Sequence, residues 1–365
     1  MELLFGIILG LFVLVLLVAV HEVGHGVVAR RNGVEVEEFG IGFPPLAWSK
    51  KIKKSFLGSN VRYSLNWLPL GGFVRLKGEY DDAKEPGGYG AASYWVKTKI
   101  LFAGVAMNWL VAIVLFTILA WTGLPKIIDN QFSVAADTQT VTQGTSRVTV
   151  AQIMDGSPAE KAGFAPNDIL LSLNGADLTS SAQFAELTAQ HKGEKVTIEY
   201  ERDGTREGTV VQLREDDSGG YLGIAASGGA QEMLRATWSA PIVGVGTTVQ
   251  LTYVTLQGLG QLLGDLGTGL ASKVSMSEEV RKEGDDSLAA AGNSVAGPVG
   301  IIGVIFPQAG QAGLTPIIFL TAIISLSLAV MNALPIPALD GGRWTVMTIY
   351  RPHRKTLTKA REEAI

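Results

Sequence analysis

The sequence predicts a polytopic α-helical membrane protein into which a small α+β domain is inserted. Only 18% of its 365 residues are charged and 47% are hydrophobic, whereas about a quarter of the residues of a soluble domain are charged. Three long runs contain no charged residue, and residues 146–226, between the second and third runs, are rich in charged residues and turn signals. The mean hydropathy, +0.26, agrees with a protein that resides in a lipid bilayer.

The composition excludes several classes of site. The chain has no Cys, which excludes disulfide frameworks, thiolate zinc sites, Cys nucleophiles and iron–sulfur ligation. A metal ion would therefore have to bind to the four His and to carboxylates. The net charge of −4, without a basic stripe, gives no support for a nucleic-acid partner.

The first predicted span covers residues 1–31. Leu3 to Val20 form eighteen consecutive uncharged residues, and no helix breaker follows before Arg31. A helix over Leu3–Val28 is long enough to cross the hydrocarbon core. A cleaved signal peptide is disfavoured, because Met1-Glu2 lacks a positive charge and no small-residue cleavage site precedes His21.

The second and third predicted spans cover residues 98–124 and 314–343. Basic residues cluster between the first two spans and after the third, at Arg30, Arg31, Lys50, Lys51, Lys53, Lys54, Arg62, Arg75, Lys77, Arg343, Arg351, Arg354 and Lys355. By the positive-inside rule, residues 32–97 and the basic tail 344–365 face the cytoplasm, and the segment between spans two and three lies outside.

A fourth uncharged run, residues 236–264, is rich in Gly, Thr and Gln. If this run crossed the bilayer, the basic tail would lie outside, against the charge rule. We therefore expect an amphipathic or re-entrant helix here, and a fourth span stays open as the alternative.

Residues 146–226 alternate short apolar runs with turn signals. The pattern predicts a strand at 148–154, a short helix after Gly156, a strand at 168–175, a helix at 181–191 and a hairpin turning at Asp203-Gly204. This order resembles a circularly permuted PDZ domain of the bacterial kind. The stretch Gly220, Tyr221, Leu222, Gly223 and Ile224 resembles the carboxylate-binding loop of such domains, which docks peptides on a strand edge, or it forms only the closing strand.

The sequence His21-Glu22-Val23-Gly24-His25 lies at the cytoplasmic end of the first span. Residues four apart share one helix face, so both imidazoles can reach one Zn²⁺ while Glu22 takes a proton from water. Ionisable residues in a span are costly and indicate function. The other two histidines, His191 and His353, are expected to be solvated.

A catalytic zinc takes three protein ligands, and Asp340 is the best candidate for the third. It follows the third span, which returns to the side of His21 and His25. Pro335, Pro337 and the Gly341-Gly342 pair place irregular backbone at membrane depth, which is tolerated where it lines a cavity. An exposed turn position for Asp340 is the alternative.

The HExxH motif, the PDZ-like insert and the distal sequence NxxPxPxLDGG at 332–342 together resemble the site-2 protease family of intramembrane zinc metalloproteases. Residues 36–43 and 63–77 are similar to the family's segment after the first span, which implies a membrane-associated β-hairpin within residues 32–97. Residues 103–108 (AGVAMN) resemble the family's AGPxxN, and residues 294–303 resemble the stretch before its last catalytic span.

The resemblance implies specific roles. His21, His25 and Asp340 match the zinc ligands, and Glu22 matches the catalytic base. Substrate contacts are implied for Asn332, Pro335, Asn108 and, in the hairpin, Gly71 and Gly72, although a helix–helix hydrogen bond is an equal alternative for Asn108.

The implied function is hydrolysis of peptide bonds within or beside transmembrane segments, in regulated intramembrane proteolysis of anti-sigma factors or signal-peptide remnants. The implied partners are the lipid bilayer and a membrane-protein substrate already cut by another protease. The implied location is a bacterial inner membrane, with the site near the cytoplasmic side and the PDZ-like domain outside.

Three features depart from the family pattern. Gly104-Val105 replaces Gly-Pro, one PDZ-like domain is present instead of two, and the chain ends at Ile365 where relatives continue into a further span. An incomplete coding frame, a shortened chain and a three-span variant all stay open.

The competing function is a non-catalytic membrane scaffold or receptor that binds C-termini through its PDZ-like domain. A scaffold has no need of HExxH or Asp340, and stoichiometric zinc would separate the two hypotheses.

Overall fold

The computed structural model describes residues 2–79, 85–143, 147–215, 220–228, 231–272 and 301–351. The chain divides into two compact units. We call the first the helical unit (Met1–Leu124, Gln131–Asp137 and Ala236–Ile365) and the second the inserted module (Pro125–Asn130 and Thr138–Arg235).

The described helices range from one turn to more than thirty residues. They are α1 Glu2–Arg31, α2 Tyr94–Thr122, α3 Pro158–Lys161, α4 Ser181–Gln190, α5 Ala240–Ser272, α6 Phe306–Ala312, α7 Leu314–Ala333 and α8 Asp340–Tyr350, with a π-helical turn at Ile301–Ile305 before α6.

Three of the described helices are long and apolar enough to cross a membrane. They comprise Leu3–Arg31 of α1, all of α2 and all of α7, and they coincide with the three predicted uncharged spans. The fourth run forms α5, which begins and ends later than the predicted 236–264. Helix α5 is long enough, with 33 residues, but it is less apolar than these three, so whether it enters the bilayer stays a prediction.

The third predicted span, 314–343, is not one helix. Helix α7 ends at Ala333, and residues 334–339 are irregular before α8 begins at Asp340. Pro335 and Pro337 explain the break, because proline lacks an N–H and forces the preceding residue into an extended conformation, as seen at Leu334 with ψ 150°. Residues 344–350 of the predicted basic tail belong to α8, and 352–365 lie outside the described residues.

Helix α2 is the centre of the helical unit, where it packs against α1, α5 and α7. Its contact face is small or aromatic, with Ala112, Phe116 and Ala120 fully buried. The start of α5 is fixed by Asp137, whose carboxylate accepts hydrogen bonds from the backbone N–H groups of Thr237 and Ser239. Helix α5 is joined to α2 by a hydrogen bond of 3.0 Å from Trp109 Nε1 to Thr252 Oγ1.

Two long strands, β1 Val36–Ser55 and β2 Gly58–Leu76, form the hairpin predicted within residues 32–97. Each strand bends, so residues 46–55 pair with 58–66, while residues 36–41 pair on one side with 62–65 and on the other with 72–76. Among the described residues, residues 72–76 pair only with residues 36–41 and therefore form an edge of the sheet. This edge lies against α1.

The helices and strands predicted within residues 146–226 occur in the inserted module, which also includes strands before and after those bounds that the sequence did not predict. Its strands are β4 Gln139–Gln143, β5 Val148–Ile153, β6 Ile169–Leu173, β7 Ala176–Asp177, β8 Lys195–Arg202, β9 Thr205–Gln212, β10 Ile224–Gly228 and β11 Gln231–Arg235, with β3 Leu124–Pro125 at its entrance. One sheet has the order β10-β5-β6-β8-β9, with β7 beside β6, and a second has the order β3-β11-β4.

The turn between β8 and β9 falls at Asp203-Gly204, as predicted. Both residues have positive φ, 51° and 80°, which is the geometry of the tight hairpin turn that matches strand twist. The stretch 220–224 forms a bend that leads into β10, the closing strand at the sheet edge, and Leu222 is buried in the core of the module. Its use as a carboxylate loop stays a prediction.

Candidate metal centre

Helix α1 carries His21, Glu22 and His25 beside α2. The two imidazoles lie one helical turn apart with ring centroids 4.7 Å from each other, and each residue is only 7% exposed. Ligand atoms of these three residues lie within 4.8 Å of one another. The i, i+4 spacing therefore produces the shared face that the sequence predicted.

Asp340 joins this pair from the first residue of α8. Its Oδ2 lies 3.0 Å from His21 Nε2 and 3.3 Å from His25 Nε2, and the two Nε2 atoms are 3.0 Å apart. The Asp340 side chain is 20% exposed. The structure thus brings together donor atoms of three residues, although His21 and Asp340 are 319 residues apart in the sequence.

These three atoms fit a zinc ion. Tetrahedral zinc with bonds of ~2.0–2.1 Å requires ligand atoms separated by about 3.3 Å, close to the observed 3.0–3.3 Å. His25 Nδ1 also lies 2.7 Å from the carbonyl oxygen of Ile100. That carbonyl can only accept, so the His25 proton sits on Nδ1 and Nε2 keeps its lone pair for a metal.

Glycines permit two close approaches at this centre, one of the imidazoles to α2 and one of backbone to backbone beside Asp340. A Cβ on Gly104 of α2 would lie 2.5 Å from His25 Nε2 and 2.6 Å from His21 Nε2. A Cβ on Gly341 or Gly342 would collide with backbone carbonyls at the end of α7 and in the irregular segment. Glycine is therefore required both beside the imidazoles and directly after Asp340.

Glu22 points toward the hairpin edge. Its Oε2 accepts a hydrogen bond of 3.0 Å from the backbone N–H of Val74. Gly72, two residues earlier, lies close enough that an added Cβ would be 3.7 Å from Glu22 Cγ. The carboxylate is thus held between the imidazoles and the edge strand.

The residues expected to contact substrate fall in different places. Gly71, with φ +97°, and Gly72 lie on the edge segment beside Glu22. Asn332 is half-buried in the last turn of α7, and Pro335 is exposed in the irregular segment that leads to Asp340. Asn108 is different, because it is 1% exposed and lies behind His21.

Two further features were predicted from the sequence. Tyr221, Leu222, Gly223 and Ile224 belong to the inserted module and are described within it alone. Of the stretch 294–303, residues 294–300 lie outside the described residues, and 301–303 belong to the π-helical turn.

The sequence did not reveal Val74, Ile100 or the role of Gly104. Val74 and Ile100 act through backbone atoms, which any residue type supplies. Gly104 acts through the side chain it lacks. One signal was present, since Gly104 and Asn108 are four residues apart on α2 and therefore share a face.

Comparison with known proteins identifies relatives along nearly the whole chain. A Clostridium perfringens protein named "Putative zinc metalloprotease" is 29% identical over 359 residues, covering 98% of this chain and 92% of that protein. The zinc metalloprotease Rip1 of Mycobacterium tuberculosis is 28% identical over 365 residues, covering 95% of this chain and 86% of that protein.

Among solved structures, the chain is similar to the PDZ domain of an SdrC-like protein from Listeria monocytogenes, with 25% identity and a TM-score of 0.21. The similarity covers 24% of this chain and 93% of that domain.

Residues 9–365 match the family model described as peptidase family M50. The match includes HExxH and Asp340, whose donor atoms converge in the structure. The chain belongs to peptidase family M50 and is a zinc metalloprotease.

Proposed function

We propose that this metalloprotease cuts peptide bonds within or beside transmembrane segments of other membrane proteins, in regulated intramembrane proteolysis. One observation carries the proposal. The three converging donor atoms belong to α1 and to the start of α8, which is separated from α7 by the irregular residues 334–339, and both α1 and α7 are long and apolar enough to cross a bilayer. A substrate would therefore meet the metal at membrane depth.

In this proposal His21, His25 and Asp340 hold zinc. Bound zinc supplies Lewis-acid chemistry, lowering the pKa of a water molecule and polarising the scissile carbonyl. Glu22 is adjacent to the ligands without being needed as a fourth one, so its carboxylate is free to take the proton of the attacking water and to return it to the leaving amine. The Val74 N–H orients one Glu22 oxygen and leaves the other for this transfer.

The substrate would bind as an extended strand. A helical carbonyl is already hydrogen-bonded, so the substrate has to unwind before attack. The edge segment 71–76 lies beside Glu22 and can pair with an extended peptide by β-augmentation. Asn332, in the last turn of α7, and Pro335, in the irregular segment, would contact the same peptide from the side of Asp340.

The hairpin carries features that support membrane association. Large apolar side chains around its bends are 47–70% exposed, namely Phe43, Leu46, Trp48, Leu65, Trp67 and Leu68. Such a patch is unusual on a soluble surface and is typical of an interaction or membrane site.

The proposed location is a bacterial inner membrane, with the metal centre near the cytoplasmic side and the inserted module outside. The support is the distribution of basic residues. The inserted module would then act as a docking site or size filter for a substrate already shortened by another protease, with Tyr221–Ile224 at its peptide groove.

Replacing Glu22 with Gln tests the proposal. In vesicles with a single-helix model substrate bearing a short outside stub, E22Q should cut at least ~100-fold more slowly, because the proton acceptor is lost. Zinc should remain near one ion per chain. Glu37→Gln, at an exposed position of the hairpin, is the matched control and should cut normally.

Undiminished cleavage by E22Q would contradict the role of Glu22. A wild-type protein that binds no stoichiometric zinc and cuts no membrane-anchored substrate would favour the scaffold hypothesis instead.

A further inference from the structure

Asn108 is a buried amide that contacts one zinc-ligand candidate from behind. It lies on α2, is 1% exposed, and places Nδ2 3.4 Å from His21 Nδ1. Its Oδ1 is buried without a hydrogen-bond partner among the described residues. A buried amide oxygen without a hydrogen-bond partner destabilises the folded protein, so its position calls for a physical reason.

The two imidazoles differ in the group that faces Nδ1, the ring nitrogen that points away from Asp340. His25 Nδ1 faces the backbone carbonyl of Ile100, which can only accept. His21 Nδ1 faces the side chain of Asn108, which can present an oxygen or an N–H. The proton position on His25 is thus fixed by backbone, whereas that on His21 depends on one side chain.

The chemistry of His21 determines which amide atom it needs. Its Nε2 faces Asp340 Oδ2 and His25 Nε2. If this nitrogen binds a metal through its lone pair, the ring proton sits on Nδ1 and requires an acceptor. Rotating the Asn108 amide by 180° exchanges Nδ2 and Oδ1. In either orientation one of the two amide atoms has no hydrogen-bond partner among the described residues. The hydrogen bond that His21 Nδ1 requires therefore determines which orientation is favoured.

The amide is held at a fixed point between three helices. The backbone carbonyl of Asn108 accepts a hydrogen bond of 2.8 Å from Ser325 Oγ, which is fully buried on α7. One turn earlier on α2, Gly104 leaves the space occupied by the imidazoles. Asn108 therefore has little freedom to turn toward a substrate, and its burial argues against direct substrate contact.

We infer that Asn108 is a positioning residue whose Oδ1 accepts the Nδ1–H of His21 and directs Nε2 toward the metal. The inference rests on the metal-binding role proposed for His21. It replaces the substrate contact expected from the sequence with a contact between Asn108 and a metal ligand.

Two substitutions separate acceptor from donor. Asn108→Asp keeps an oxygen facing His21 but has no N–H, whereas Asn108→Leu keeps the approximate shape and has neither. Thr321→Val is the control, because it removes a hydroxyl of the same helix α7 that donates to the backbone carbonyl of Ile317 and has no part in holding Asn108. Zinc affinity of the detergent-solubilised full chain, from chelator competition, and the visible absorption spectrum of the Co²⁺ form are the readouts.

The inference predicts that N108L weakens zinc binding by roughly 10–100-fold and alters the Co²⁺ spectrum. N108D should bind zinc at least as tightly as wild type, and T321V should leave affinity and spectrum unchanged. N108D keeps the side-chain shape, so its zinc affinity tests the inference even if N108L does not fold.

Weakened zinc binding in N108D would overturn the inference, because it would show that Asn108 acts as a donor. Wild-type affinity and spectrum in N108L would overturn it as well. Neither result touches the proposed function, which fails instead if the wild-type protein does not bind zinc.

Discussion

At the scale of single residues, the metal centre depends as much on a missing side chain as on the ligands. His21, Glu22 and His25 could be predicted from the sequence because helical periodicity alone places i and i+4 on one face. Asp340 could be predicted because the parity of the spans returns it to the same side. Gly104 could not, because absent atoms leave no chemical signature.

Replacing Gly104 with Ala tests this point. The added Cβ would lie 2.5–2.6 Å from ring atoms of both histidines, so at least one imidazole has to move and zinc affinity should fall by at least ~10-fold. Gly258→Ala on α5, where nothing lies within 4 Å of the added Cβ, is the control and should leave affinity unchanged. Equal zinc affinity in G104A and wild type would refute the packing argument.

At the scale of elements, the sequence predicted the type of each segment, helix or strand, more accurately than its end points. Periodicity predicted α1, α2 and the elements of the inserted module, because their patterns are local. The bends of β1 and β2 were not predicted, since residues 36–41 pair with two different parts of β2. Long-range pairing of this kind has no local pattern.

One ion pair of the inserted module makes the stability of its strands depend on pH. The buried carboxylate of Asp168 accepts hydrogen bonds from Arg202 Nε and Nη2 and from the backbone N–H of Ala165. Burial raises the pKa of Asp168, but these hydrogen bonds outweigh it, so the pKa lies below its ordinary value. Its stabilising contribution is therefore complete above the unfolded pKa of about 3.9 and is lost as pH falls through the folded value.

Asp168→Asn should lower the opening free energy of β6 and β8 at pH 7 by roughly 2 kcal/mol. The difference from wild type should shrink as the pH falls below about 4. Native-state hydrogen exchange of the full chain measures both effects, with exposed Asp155→Asn as the control. A D168N difference that persists unchanged in acid would contradict this account.

At the scale of the whole molecule, the chain consists of a helical unit that contains every candidate metal ligand and an inserted module that contains none of them. The sequence indicated an insertion at residues 146–226, where charged and turn residues are frequent, but not that the compact unit also includes residues 125–130, 138–145 and 227–235. We therefore expect D168N, which perturbs only the inserted module, to leave zinc affinity within about twofold of wild type, since its ion pair contacts no ligand. A larger loss of affinity would show that the module supports the metal centre.

The proposed chemistry of the metal centre depends on one claim, that His21, His25 and Asp340 together hold one zinc ion. X-ray absorption of the purified full chain, with its zinc content, tests this claim directly. We predict one zinc per chain, bound only by nitrogen and oxygen at ~2.0–2.1 Å with two imidazoles, and loss of stoichiometric zinc in Asp340→Ala. A wild-type chain without stoichiometric zinc, or D340A with an unchanged zinc spectrum, would contradict it.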